Sequence, residues 1–310
     1  MRILFMGTPD FAVHSLSALL EAGHEICGVF SREDKPRGRG MKVFPTPVKE
    51  YAMSHGIPVF TPAKLRDGTA LALIKELAPE LIAVTAYGRI LPREILEYPQ
   101  YGCINVHASL LPKYRGAAPI NWSIVQGEAE TGITIMYMAE ELDSGDIVIA
   151  KSTPISQTDD AVSLWSRMGP MGGALLVEAV AAIEAGTAVR TPQRHAEMTL
   201  APMLSREHAP LDFTKTAQQL HNQVRGLIPW PATTATLVGR ALKVFRTCAA
   251  ERRTDFTPGS LVQADKQGLF VACGGGSVLE LIEIQGEGSK RMEARAYLLG
   301  KPFRPEDIGL

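Results

Sequence analysis

Residues 103–119, Cys-Ile-Asn-Val-His-Ala-Ser-Leu-Leu-Pro-Lys-Tyr-Arg-Gly-Ala-Ala-Pro, hold the densest set of groups able to do chemistry. Cys103 to His107 reads as a short strand, and a period of two puts Asn105 and His107 on one side with Ile104 and Val106 on the other. An amide beside an imidazole can polarise or protonate an oxygen. Ser109 to Gly116 then carries a proline, a basic pair and a glycine where the chain must leave the strand. That composition builds a loop around a site rather than a packed element. Ser109 lacks the Gly-x-Ser-x-Gly elbow that would activate a serine nucleophile.

Two other segments are expected beside this one. Leu142-Asp143-Ser144-Gly145-Asp146 is a turn-like acidic stretch between two strands, and Thr85-Ala86-Tyr87-Gly88-Arg89 follows the most apolar strand. Together they offer a carboxylate, an imidazole and an amide without an evident nucleophile. The fitting chemistry is direct transfer: an outside amine attacks a carbonyl carbon while Asn105 and His107 carry the developing oxyanion. An acid beside the imidazole would fix its protonation state. Taken singly, the same residues have plainer readings. Asn105 and His107 are then satisfied polar groups at a strand end, Asp143 a turn former, and Lys113 and Arg115 solvent-facing charges. Gly7-Thr8-Pro9-Asp10 lacks the GxGxxG spacing of a pyrophosphate cradle, which argues against a nicotinamide or flavin enzyme.

These residues need a scaffold. Apolar strands at 2–6, 25–30, 58–60, 81–85, 102–107, 133–138 and 147–150 alternate with helices at 11–21, 47–55, 71–77 and 117–126. Such alternation predicts an α/β fold with a doubly wound, mostly parallel sheet, whose ligands sit beyond the carboxyl ends of the strands. Residues 160–184 read as one broken helix or two short ones, interrupted by Gly169-Pro170 and Gly172-Gly173. A polar, proline-bearing stretch follows with no period. After a helix at 216–224, five short β-like runs with glycine turns suggest a small barrel or sandwich. The expected domains are 1–190, a linker at 191–208, and 209–310.

Composition fits an ordinary soluble globular protein, with 45% hydrophobic and 21% charged residues. The opening apolar run is too short for a signal peptide, and no later run approaches a membrane-spanning length. Cys27, Cys103, Cys248 and Cys273 lie far apart without a CxxC pair, which argues against structural zinc and suits a reducing cytoplasmic location. Charge is uneven: residues 209–310 hold 13 Lys+Arg against 10 Asp+Glu, a mild hint of a polyanionic partner.

The 103–119 run resembles the signature of the 10-formyltetrahydrofolate-dependent formyltransferases. The likeness extends over Phe5 to Ala12, Gly38-Arg39-Gly40, Pro45 to Lys49, Ala86-Tyr87-Gly88 with Ile90-Leu91-Pro92, Glu130 to Thr134, Leu142 to Asp146, and Pro229-Trp230-Pro231. The Asn-x-His and Ser-Leu-Leu-Pro-x-x-Arg-Gly elements are shared across that superfamily and identify the chemistry. The Gly-Arg-Gly insert and Pro-Trp-Pro resemble the members that act on methionyl initiator tRNA. Resemblance implies a Rossmann-like formyltransferase domain followed by an oligonucleotide-binding (OB)-like β-barrel that binds tRNA. It implies transfer of a formyl group from 10-formyltetrahydrofolate to the amino group of methionyl-tRNA, with no metal, no membrane association and a monomeric chain.

In that scheme Asn105, His107 and Asp143 are catalytic. Tyr87, Arg89, Ile90, Leu91, Ser109, Leu110, Leu111 and Pro112 border the folate. Arg39, with Arg37 and Lys42 beside it, contacts tRNA from the insert, and Arg225, Lys243 and Arg246 do so from the second domain. Two alternatives stay open on the residues alone: a sugar-nucleotide formyltransferase, and a non-catalytic RNA-binding module.

Overall fold

The computed structural model describes residues 1–37 and 42–309, with backbone alone for 35–37 and 42. The chain divides into two compact units, Met1–Pro119 with Glu130–Pro154 and Trp165–Pro202, and Ile120–Ala129 with Ile155–Leu164 and Met203–Leu310.

The elements of the first part run β1 (Arg2–Gly7), α1 (Asp10–Glu21), β2 (Glu25–Phe30), β3 (Lys35–Arg37), β4 (Lys42–Phe44), α2 (Pro47–Ser54), β5 (Val59–Phe60), α3 (Thr69–Leu77) and β6 (Leu81–Thr85). They continue through α4 (Arg93–Leu96), β7 (Cys103–His107), β8 (Arg115–Gly116), α5 (Pro119–Val125), β9 (Glu130–Tyr137), β10 (Ile147–Pro154), α6 (Ala161–Glu184) and β11 (Leu200–Ala201). Seven strands form one sheet in the order β10-β9-β7-β6-β1-β2-β5. From β5 to β7 neighbours are parallel, whereas β9 and β10 return antiparallel. The expected mostly parallel doubly wound sheet is therefore present. Ile3, Leu4, Phe5 and Met6 of β1 are all fully buried, as they must be when layers cover both faces. Leu4, Met6, Ile82 and Val84 pack with Ile74 and Ile95 from the helices.

Helix α6 is continuous from Ala161 to Glu184 with Pro170 inside it, which corrects the expectation of a break. Its glycines serve close approach: a Cβ on Gly169 would lie 2.5 Å from the His14 ring, and one on Gly173 would lie 2.5 Å from the His14 carbonyl oxygen. Packing against α1 thus compensates for the poor helix propensity of this stretch.

The second unit holds α7 (Ala217–Gly226), β12 (Thr233–Leu237), β13 (Arg240–Arg253), β14 (Leu261–Asp265), β15 (Gly268–Ala272), β16 (Ser277–Gly286), β17 (Met292–Glu293) and α8 (Ala294–Gly300). Its strands make a six-stranded antiparallel sheet, β12-β13-β16-β15-β14 with β17 on β16. Alternate residues such as Leu242, Val244, Leu279 and Leu281 form its core with Leu220 and Val224 of α7. Thr216 caps α7 with a reciprocal capping box to Gln219.

Candidate active site

Strand β7 lies between β6 and β9, with Asn105 opposite Val84 and Met136 and His107 opposite Thr134. This central position fixes the backbone of both polar residues. Two residues apart on one face, they are about 7 Å apart along the strand. Asn105 is half-buried, and among the described residues its amide has no hydrogen-bond partner.

His107 is 5% exposed, and its Nε2 lies 2.9 Å from the Tyr114 carbonyl oxygen. A carbonyl only accepts, so Nε2 carries the proton and donates it. Nδ1 faces Asp143, with Oδ2 3.7 Å away. That separation is too long for a hydrogen bond. The sequence suggests that the acid fixes the imidazole, but Tyr114 sets its tautomer and leaves Nδ1 as the open edge.

The loop from Ala108 to Lys113 is tied down by hydroxyls. Ser109 Oγ donates to Lys113 O at 2.6 Å, and Thr134 Oγ1 on β9 donates to Ser109 O at 2.6 Å while accepting from Leu111 N–H at 3.2 Å. Ser109 is fully buried, so its hydroxyl is a structural donor. Tyr114 then takes a left-handed φ of 62° and Gly116 a φ of 123°. Gly116 is required there, since a Cβ would sit 2.6 Å from Ala201 O, across the β8–β11 pair. Its N–H donates to Asp143 Oδ2 at 2.8 Å.

Asp143 also has a left-handed φ, 48°, which a non-glycine residue keeps only when its neighbours impose it. Gln193 supplies part of that constraint, with Nε2 donating to Asp143 O and Gly145 O at 2.8 Å each. Gln193 in turn accepts from Arg115 Nε and Nη2 at 3.1 and 2.6 Å. Arg115 is therefore not the solvent-facing charge expected of it; it is 5% exposed. Gln193 was hidden from sequence reasoning because residues 187–210 show no period. Its only local signal is a lone amide among prolines and charges.

Several other expected site residues look different in three dimensions. Tyr87 is 1% exposed with its ring in the core around Leu4, Met6 and Ile82, so its side chain does not border an open pocket. Leu91 belongs to the same core, Leu111 is buried, and Leu110 and Pro112 are partly covered. Ile90 is 67% exposed. Arg89 is partly exposed and donates to the Ala63 carbonyl.

In the second unit Arg225 is 7% exposed and donates to Asn222 Oδ1, Ser156 O and Asp159 O. It stabilises the interior and is not a phosphate contact. Arg246 pairs with Glu293, while Lys243 is exposed. Arg39 lies outside the described residues, as do the side chains of Arg37 and Lys42. Among the described residues no group of three or more His, Cys, Asp or Glu is placed to hold a metal ion, and no helix is long and apolar enough to cross a membrane.

Comparison with known proteins agrees with this geometry. Residues 1–180 match the family model described as formyl transferase, and residues 203–302 match formyl transferase, C-terminal domain. The N-formyltransferase from Helicobacter canadensis, solved with folinic acid and dTDP-3-aminofucose, superposes with a TM-score of 0.68 at 19% identity, over 92% of this chain and 98% of that one. HypX from Aquifex aeolicus, in complex with tetrahydrofolic acid, gives 0.63 at 17% identity over 96% of this chain, which spans 47% of HypX. At such identities these two show a shared fold. A methionyl-tRNA formyltransferase from Geotalea uraniireducens is 46% identical over 308 residues, 99% of this chain and 97% of the relative. This chain belongs to the methionyl-tRNA formyltransferase family.

Proposed function

We propose that this protein transfers the formyl group of 10-formyltetrahydrofolate to the amino group of methionyl initiator tRNA, giving N-formylmethionyl-tRNA and tetrahydrofolate. What supports the reading is His107 at the carboxyl end of β7 facing Asp143, with Asn105 two residues earlier on the same face of the strand, in a chain alike over nearly its whole length to a methionyl-tRNA formyltransferase. The amine adds to the formyl carbon to give a tetrahedral oxyanion, which collapses as the bond from that carbon to the folate nitrogen breaks; the amine gives up one proton and the folate nitrogen takes one.

The side chains divide this work. Asn105 donates to the formyl oxygen through an amide that no described protein group engages. His107 works through Nδ1, since Nε2–H is committed to Tyr114 O. A neutral Nδ1 accepts the amine's proton, and the resulting imidazolium faces the Asp143 carboxylate. Gly116 N–H holds that carboxylate in place. With Ser109 engaged in its own loop, attack by the amine is direct, without an acyl-enzyme.

The folate is assigned to the N-terminal domain, along Arg89, Ile90 and Leu91 and the Ser109–Pro112 turn, where exposed Ile90 offers apolar surface to a flat ring. Contacts to tRNA are assigned to Arg39 with Arg37 and Lys42, and to Lys243 and Arg246 in the second domain, acting on phosphates. The protein works as a monomer in the cytoplasm. The test incubates it with labelled 10-formyltetrahydrofolate and, separately, charged initiator tRNA, charged elongator tRNA and an amino-sugar nucleotide. Label on charged initiator tRNA alone is expected; label on the sugar alone overturns the acceptor, and label on none overturns the transferase reading.

A further inference from the structure

Gln193 is 6% exposed, and all four hydrogen-bonding positions of its amide are engaged. Oε1 accepts twice from Arg115, and Nε2 donates to the carbonyls of Asp143 and Gly145. The orientation of the amide is dictated by these partners, because a guanidinium only donates and a carbonyl only accepts. Arg115 itself is 5% exposed and among the described residues has no carboxylate partner. A glutamate at 193 would neutralise this buried cation better than an amide does, so satisfying Arg115 does not explain the amide. What only the amide provides is donation to the two carbonyls that flank Ser144.

Asp143 is thereby held at both ends. Gly116, the residue after Arg115, fixes its carboxylate, and Gln193, braced by Arg115, fixes its backbone at the left-handed φ of 48°. We infer that Gln193 is a positioning residue for the transfer reaction, keeping Asp143 turned toward His107. The inference rests on the formyl-transfer reading above.

The decisive substitution is Gln193→Glu, which keeps both acceptors for Arg115 and removes both donations to the Asp143 loop. With saturating methionyl-tRNA and folate, kcat is expected to fall at least tenfold; a displacement of 1 Å at a reacting group can cost on the order of a hundredfold. KM for tRNA should stay near wild type, and the variant should still melt cooperatively, though below wild type because two carbonyls lose their donor. In an Asp143→Ala background, Q193E should bring no further loss, because its effect passes through Asp143. Should Q193E fail to melt cooperatively, Gln193→Asn keeps the amide, withdraws it by one methylene and carries the same expectations. A kcat within threefold of wild type for the folded variant, or a loss that adds to that of D143A, overturns the inference. Failure of the underlying reading looks different, since wild type would then not transfer formyl or D143A would retain full activity.

Discussion

Replacing Asn105 by alanine separates catalysis from stability unusually well at this site. The residue is half-buried on a central strand, its backbone is paired on both sides, and among the described residues its amide has no partner. Truncation therefore leaves no buried group unsatisfied, and the stability change should stay within about 1 kcal/mol. The rate should respond differently. An oxyanion donor strengthens its bond only as charge develops on the oxygen, and losing one costs about 3–4 kcal/mol, on the order of 100- to 1000-fold in turnover. Single-turnover formation of N-formylmethionyl-tRNA, with both substrates saturating, measures the step; thermal melting of the same preparation measures the fold. Asn105→Asp should be at least as damaging, because it replaces a donor by a negative acceptor beside the developing charge. A loss below threefold in N105A would remove Asn105 from this role, and a melting shift large enough to unfold the variant under assay conditions would sink the claimed separation.

Other predictions test the surroundings. Gly116→Ala should lose about 2–3 kcal/mol of stability and most activity, because its Cβ meets Ala201 O while φ is 123°; an unchanged melting curve would contradict the close approach. Arg225→Ala should destabilise by at least ~2 kcal/mol by stranding its buried acceptors, yet leave the salt dependence of tRNA binding unchanged. Lys243→Ala should do the reverse, lowering the slope of log affinity against log salt by about 0.7–0.9 at constant stability; a flat comparison would remove Lys243 from the RNA surface. Burial, with Arg225 adding to it, lowers the pKa of His221 below its ordinary value, against raising contacts from the Gln157 backbone and Thr247. Its stability contribution is then present above the unfolded imidazole value of about 6.5 and lost as pH falls through the folded one. Wild type should lose melting temperature between pH 7.5 and 5.5 more steeply than His221→Gln, and equal slopes would refute the assignment.

How much of this was legible in the sequence depended on where each constraint originates. Strand β7 and its two polar residues were readable because the period of two is local, and β2 and β6 were bounded correctly for the same reason. Strand β13 was not: the alternation supports 241–246, but the strand runs on through Cys248 to Arg253. Its polar end is held by the ladder to β16, where Ala249 faces Leu279 and Ala250 faces Val278. Long-range pairing of this kind leaves little local trace. The burial of Tyr87, Arg115 and Arg225 was invisible for a related reason. Each polar group enters the interior because partners elsewhere in the chain receive it, or, at Tyr87, because the apolar ring outweighs one hydroxyl.

At the site itself, the polar atoms sort by whether the fold already engages them. Ser109 Oγ, Thr134 Oγ1, His107 Nε2, Gly116 N and both ends of Gln193 are tied to other protein groups. Among the described residues the Asn105 amide and His107 Nδ1 remain without a hydrogen bond, with the Asp143 carboxylate beyond Nδ1. An oxyanion donor must find its partner in the transition state, and a proton acceptor must hold its lone pair open until then. Groups already paired within the protein would have to break those bonds during the reaction. The 3.7 Å between Nδ1 and Oδ2 suits the same logic, since the imidazole is not held by the acid before it gains a proton and is met by the acid afterwards. The Tyr114 carbonyl holds the ring in the meantime, and for that reason the left-handed turn at Tyr114 is as much a part of the chemistry as the histidine it orients.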